Sequence, residues 1–153
     1  MTPQDLTNYT DWPQARPPLY EPAEMARARQ RFRELTAEID ILHLVYVDAE
    51  GAPVSGPARY EAQQGEDRPI LRLDNAAPEF LARFQGDEGL PVSVSIYRPV
   101  GFENRQQLRS TQIQGVASLD ATSGPRSVSI RPIHIAWHDA ELRPPRASLV
   151  FEG

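Results

Sequence analysis

The chain contains no cysteine, which excludes disulfides, thiolate zinc sites and cysteine nucleophiles. Lysine is missing too, so all 16 basic side chains are arginine. That removes a Schiff-base lysine and a phosphate-loop lysine from consideration. Long apolar runs are also missing. The longest, Ile41 to Val47, falls far short of a bilayer span. Positive charge is in deficit: the formal net charge is -5, a poor basis for neutralising nucleic-acid phosphates. The opening Met1-Thr2-Pro3-Gln4-Asp5-Leu6 lacks the basic start and apolar run of a signal peptide. Together these absences describe a cytoplasmic protein whose partners are neither nucleic acid nor membrane. No glycine-rich phosphate loop is present, and Ser55, Ser93, Ser95 and Ser127 lack a nucleophile-elbow context. No catalytic residue is identified from the sequence.

What is abundant is proline, 15 in 153 residues. That content suits short strands and defined turns better than long helices. The length fits a single domain able to bury a core without staples. Residues 1–22, with Pro3, Pro13, Pro17, Pro18 and Pro22, read as an extended arm. Residues 23–153 form the domain.

Met25, Ala28, Phe32, Leu35 and Ile39 fall at spacings of three and four, which predicts an amphipathic helix opened by Pro22. Arg27, Arg29, Arg31 and Arg33 flank its stripe, with Glu24, Glu34 and Glu38 as expected partners. Ile41 to Val47 is apolar on both faces and predicts a central buried strand, with His43 a core histidine. Asp48-Ala49-Glu50-Gly51 is a turn. Beyond it Val54, Gly56, Ala58 and Tyr60 alternate with polar residues or proline, giving the hairpin partner. Gln63 to Asp67 reads as a polar turn and Ile70 to Leu73 as a third strand. Asp74 to Pro78 opens a short helix that buries Phe80, Leu81 and Phe84 and ends at Gly86.

Three more strands follow. Val92, Val94 and Ile96 share one face. Leu108 to Leu119 puts Thr111, Ile113, Gly115, Ala117 and Leu119 on another. In Ser127 to His138 the apolar phase switches between Val128/Ile130 and Ile133/Ile135/Trp137, at Arg131-Pro132. A one-residue change of phase predicts a β-bulge. Arg143 to Gly153 is a tail. Six antiparallel strands with a leading helix and one small helix make a closed barrel, whose closure removes exposed edges. His134 and His138 lie on one strand, about 13 Å apart at the usual rise, so they do not chelate one metal ion.

Several strings in this order resemble the FMN-binding split-barrel family, the pyridoxamine 5'-phosphate oxidase-like proteins with their haem-utilisation-like members. They are the hairpin Val47 to Pro57, the strand Arg68 to Leu73, and the helix Ala77 to Phe84 followed by Pro91 to Ile96. Gln112-Ile113-Gln114-Gly115-Val116-Ala117 and Ile130 to Trp137 complete the series. The likeness covers roughly Glu38 to Asp139. It implies a mainly β (α+β) fold, a six-stranded antiparallel split β-barrel with a leading helix and one small helix.

The resemblance further implies a homodimer that binds a small molecule, with FMN at the subunit interface. The implied cofactor-binding positions are Arg59, Tyr60, Arg72 and Asn75 with Ala76 for the phosphate, and Gln112 and Gln114 for the ring edge. Such a protein is an FMN-dependent oxidoreductase of unknown substrate. The alternative is a cofactor-free or haem-binding module, with His134 or His138 as axial ligand. The chain departs from the family pattern at the second helix. Asp74-Asn75-Ala76-Ala77 carries neither the usual serine nor a basic residue there, and Asp74 repels a phosphate.

Overall fold

The computed structural model describes residues 22–64, 68–86, 88–98, 109–139, 141–142 and 145–151. The proline-rich arm, apart from Pro22, lies outside them. Helix α1 runs Pro22–Glu38. Strands β1 (Ile41–Val47), β2 (Pro53–Arg59), β3 (Glu61–Gln64) and β4 (Pro69–Leu73) follow. After the one-turn helix α2 (Pro78–Leu81) come β5 (Leu90–Arg98), β6 (Arg109–Leu119), β7 (Val128–Asp139) and β8 (Arg146–Val150). The described residues thus hold eight strands where six are expected. The sequence reads β3 as part of a polar turn and β8 as part of a tail. No described helix is long and apolar enough to cross a membrane.

All the strand pairs are antiparallel. They run in the order β2-β1-β5-β6-β7-β4-β3, with β8 added to β7. The hydrogen-bonded path therefore ends at β2 and β3 rather than closing, and the architecture is a split barrel. The prolines of β2 fit its place at an end of the path, where an absent N–H breaks no second ladder.

The β1–β2 turn is local chemistry. Gly51 takes φ +85°, and the Asp48 carboxylate accepts from the Glu50 and Ala52 N–H groups at 2.9 Å each. The resulting register sets Leu44 opposite Gly56 and Tyr46 opposite Val54. Leu42, Leu44 and Tyr46 point inward and are buried, whereas Ile41 and Val47 are about half exposed and His43 is exposed. This corrects the reading of β1 as buried on both faces and of His43 as a core residue. The strand is central in the sheet, but its outward side chains are apolar without being covered.

Inside the barrel, Leu71 and Leu73 of β4, Val94 and Ile96 of β5, Ile113 and Ala117 of β6, and Val128, Ile130 and Ile135 of β7 are at most 1 % exposed. Leu119 is exposed, against the expectation that it shares the inward face of β6.

The bulge expected in β7 is present but sits later than the sequence places it. Gln114 pairs with His134 and Gly115 with Pro132, so Ile133 is the supernumerary residue. Pro132 keeps the inward phase of Val128 and Ile130, and Ile133 turns out to solvent. Inward phase resumes at Ile135 and Trp137. The bulge also divides the far edge of β7: β4 pairs with Ser129 and its neighbours, β8 with His134 to His138. The backbone opposite must come close here. A Cβ on Gly115 would stand 2.7 Å from the Arg131 carbonyl oxygen and 3.1 Å from Ile130 Cγ2.

Helix α1 buries Ala28, Phe32 and Leu35 against one end of the barrel. Its charged side chains meet a row of charges at the ends of β5, β6 and β7, where Arg98 pairs with Arg109 and Arg109 with Asp139 in register. Arg31 donates to both carboxylate oxygens of Asp139 and also bridges to Glu141. Glu38 pairs with Arg98 at 3.2 Å, and Glu34 and Glu38 each lie 3.8 Å from Arg109. Among the described residues, these helix charges reach across to the barrel rather than to each other, as the sequence reading had them. The hydrogen bond with Asp139 raises the pKa of Arg31 further, against the opposing effect of burial.

Because the Gly115 site leaves no room for a methyl group, Gly115→Ala is expected to destabilise the fold by about 1–3 kcal/mol, the range for overpacking. Chemical denaturation is the check; an unchanged midpoint would mean that the bulge is free to shift.

Candidate ligand-binding groove

Between β2 and β3 stands a single residue, Tyr60. The chain leaves one end of the sheet path at Arg59 and joins the other at Glu61. Tyr60 is fixed at both ends. Its N–H donates to the Asp40 carbonyl at 3.0 Å and its hydroxyl to the Ile39 carbonyl at 2.6 Å. The ring is 5 % exposed. Burial, with Asp40 nearby, pushes the phenol pKa up, so the hydroxyl stays a proton donor to Ile39 at any ordinary pH.

From this pivot β2 and β4 diverge and leave a groove of about 1020 Å³. One wall is Val54 to Arg59. The other is Glu61 with Arg72 to Ala77. The floor is apolar, made by Leu44, Tyr46, Leu73 and Phe80. Phe80 is fixed by Tyr46, with ring centroids 4.8 Å apart, and by Phe84 edge-on at 5.2 Å. Helix α2 holds Phe80 there: Pro78 starts its single turn, and at its end Arg83 Nε donates to the Val47 carbonyl at 2.8 Å.

The polar rim is strongly paired. Arg72 Nη2 donates to Glu61 Oε2 at 3.0 Å, a contact set by the register that puts Glu61 opposite Arg72. Arg72 Nε lies 2.8 Å from Asp74 Oδ1 but off the N–H direction, so this nitrogen makes no hydrogen bond. Asn75 Oδ1 accepts from Arg126 Nη1 at 3.1 Å, and the Ala76 N–H donates to the Arg126 carbonyl. Arg59 is exposed on the rim and makes no ion pair among the described residues.

Four of the six expected cofactor-binding residues, Arg59, Tyr60, Arg72 and Asn75, therefore line one groove. Gln112 and Gln114 do not. Both are exposed on the outer face of β6, Gln112 between Ser95 and Ala136 and Gln114 between Ser93 and His134. That outer face carries no charge across its middle. Across that middle lie Ile41, His43, Val45 and Val47 of β1, Ser93, Ser95 and Tyr97 of β5, the two glutamines of β6, and His134 and Ala136 of β7, with Arg59 and Arg131 at its margins. Tyr97 is 56 % exposed.

The sequence reading missed Glu61 as the partner of Arg72, and Leu44, Tyr46 and Phe80 as the floor. No group of three or more candidate metal ligands occurs among the described residues.

A flat heteroaromatic ring fits the size and the apolar floor of this groove. The phosphate of FMN does not fit its rim. Arg72 is already held by two carboxylates, and the Ala76 N–H and the Asn75 side-chain oxygen are engaged with Arg126.

In sequence the chain matches no family model and no curated protein. Its likenesses are structural. A heme binding protein from Mycobacterium smegmatis superposes with a TM-score of 0.57 at 15% identity, over 86% of this chain and 60% of that one. ChuZ from Campylobacter jejuni gives 0.54 at 7% identity, over 82% of this chain and 60% of its own. PhzG from Burkholderia lata 383, solved in complex with tetrahydrophenazine-1-carboxylic acid, gives 0.50 at 14% identity, over 100% and 93%. The split-barrel fold is shared. The chain spans about three-fifths of the length of the first two of these proteins.

Removing the Tyr60 hydroxyl strands a carbonyl at the pivot. Tyr60→Phe is expected to lower stability by roughly 1–2 kcal/mol, the loss for an unmade buried hydrogen bond, with the fold retained. Thermal unfolding measures it, and a stability equal to wild type would show that the pivot is held by packing alone.

Proposed function

We propose that the protein is a cytoplasmic homodimer that binds a flat heteroaromatic ligand of the flavin class in the β2/β4 groove, and that it is an oxidoreductase by virtue of that ring. The observation that carries this reading is the groove itself. A long apolar floor beneath a polar rim suits a planar ring with a polar edge. The redox chemistry would be that of the ring, and the chain would bind and orient it.

Two further points support the reading. The ligand in the PhzG structure, tetrahydrophenazine-1-carboxylic acid, is likewise a fused three-ring nitrogen heterocycle. The uncharged outer face spanning β1, β5 and β6 suits a second copy of this chain, because it can be buried without stranding a charge. In such a dimer Gln112 and Gln114 belong to the interface, on the face of the sheet opposite the groove. The haem reading is less favoured by the side chains. One structural neighbour is a heme binding protein, but no histidine is among the described residues that line this groove, and His43, His134 and His138 all point outward.

Lumichrome, the flavin ring without its side chain, is expected to show saturable fluorescence quenching at about one ring per chain. Gly56→Trp should weaken this by at least about tenfold. A Cβ at Gly56 would meet nothing within 4 Å, and Gly56 lines the groove, so the indole is expected to occupy ligand space. Absence of quenching by the folded wild-type protein rejects the reading.

Tyr97→Glu places a charge in the uncharged face and is expected to convert a dimer to a monomer in sedimentation equilibrium. A monomeric wild-type protein would reject the dimer.

A further inference from the structure

The rim of the groove carries four carboxylates, Asp40, Glu61, Asp74 and Glu79, against two guanidiniums, Arg59 and Arg72. We infer that the groove selects a flavin whose side chain is a neutral polyol and discriminates against one that ends in phosphate: riboflavin over FMN. The inference rests on the flavin-class reading above and names the ligand within it.

Arg72 is already engaged. Its guanidinium stands between Glu61 at 3.0 Å and Asp74 at 2.8 Å. A phosphate reaching it would have to displace one carboxylate and then lie beside it. Two like charges at contact distance repel, and Arg72 alone cannot neutralise both carboxylates and a dianion.

The start of α2 is a poor substitute cradle. Phosphate sites on backbone use free N–H groups at the start of a helix. Here the Ala76 N–H is bonded to the Arg126 carbonyl, α2 is a single turn, and its first turn carries the acidic Glu79. Arg59 remains, but it is exposed, and salt screens an exposed charge.

Ionised carboxylates only accept. A phosphate dianion also only accepts, so it offers Asp74, Glu61 and Glu79 nothing. The hydroxyls of a ribityl chain donate, and bonds from a hydroxyl to a carboxylate are of the short, charge-assisted kind. The same rim that repels a phosphate is a row of acceptors for a polyol.

The experiment compares three probes on the full chain under one buffer: lumichrome, riboflavin and FMN, each by fluorescence quenching with calorimetry as a second readout. Riboflavin is expected to bind at least about tenfold more tightly than FMN at low salt. Raising the salt should narrow that ratio, because the penalty on FMN is a repulsion between partly exposed charges. Glu61→Gln combined with Asp74→Asn frees Arg72 and should shift the preference toward FMN by about tenfold or more. Should that variant fail to fold, the salt series on wild type still decides.

FMN binding as tightly as riboflavin, or more tightly, would overturn the inference and leave the flavin-class reading standing. So would lumichrome binding without riboflavin. Binding of none of the three would overturn the reading and the inference together.

Discussion

The two hydrogen bonds of Tyr60 hold the place where the chain passes from one end of the sheet to the other. A strand that crossed without an anchor would leave β2 and β3 free to pair or to splay. Here the backbone bond to Asp40 and the hydroxyl bond to Ile39 tie the crossing to the joint between α1 and β1. The direction in which β2 leaves that joint fixes one wall of the groove, and the entry into β3 and β4 fixes the other. Groove width is thus set by one buried lining residue, Tyr60, and two carbonyls rather than by the other side chains of the rim and floor.

The helix secures the same joint from below. Its apolar stripe supplies the burial, and its charges supply the orientation. Arg31, Glu34 and Glu38 face Asp139, Arg109 and Arg98 with alternate signs, so rotating the helix would set like charges together. Exposed pairs of this kind contribute little each. The Arg31–Asp139 contact differs because the Asp139 side chain is only 6% exposed, and a buried carboxylate left without its partner is strongly unfavourable. The network therefore acts more on which way the helix sits than on how tightly it is held.

Much of this architecture could be read from the residues. The stripe of α1, the Asp48–Gly51 turn, the inward positions of β5 and those of β6 from Thr111 to Ala117 follow from periodicity and turn chemistry. So does the existence of a bulge in β7, although an apolar Ile133 disguised its place by mimicking the phase of Ile135. Strand β3 escaped because Glu61-Ala62-Gln63-Gln64 has no hydrophobic pattern; its strand character comes from pairing with β4. The outer face of β1 misled for the opposite reason, being apolar where it is uncovered. At the groove, Arg59, Arg72 and Asn75 could be nominated from the chain. The neutralisation of Arg72 could not, because it depends on a register that exists only once β3 and β4 have paired.

The division of β7 at its bulge has a consequence for how the protein is made. Strand β4 is bonded to β3 and to the first half of β7, and β3 has no other strand partner on the sheet path. A chain still emerging from the ribosome can form the β1–β2 hairpin and pair β5 with β6 from neighbouring segments, which are the quickly closed contacts. Beyond its hairpin with β3, β4 finds no strand of the sheet to join until Val128 to Ile130 have appeared. One wall of the groove therefore waits for a strand far along the chain, and a nascent protein lacking β7 has a half-built sheet and no place for a ligand.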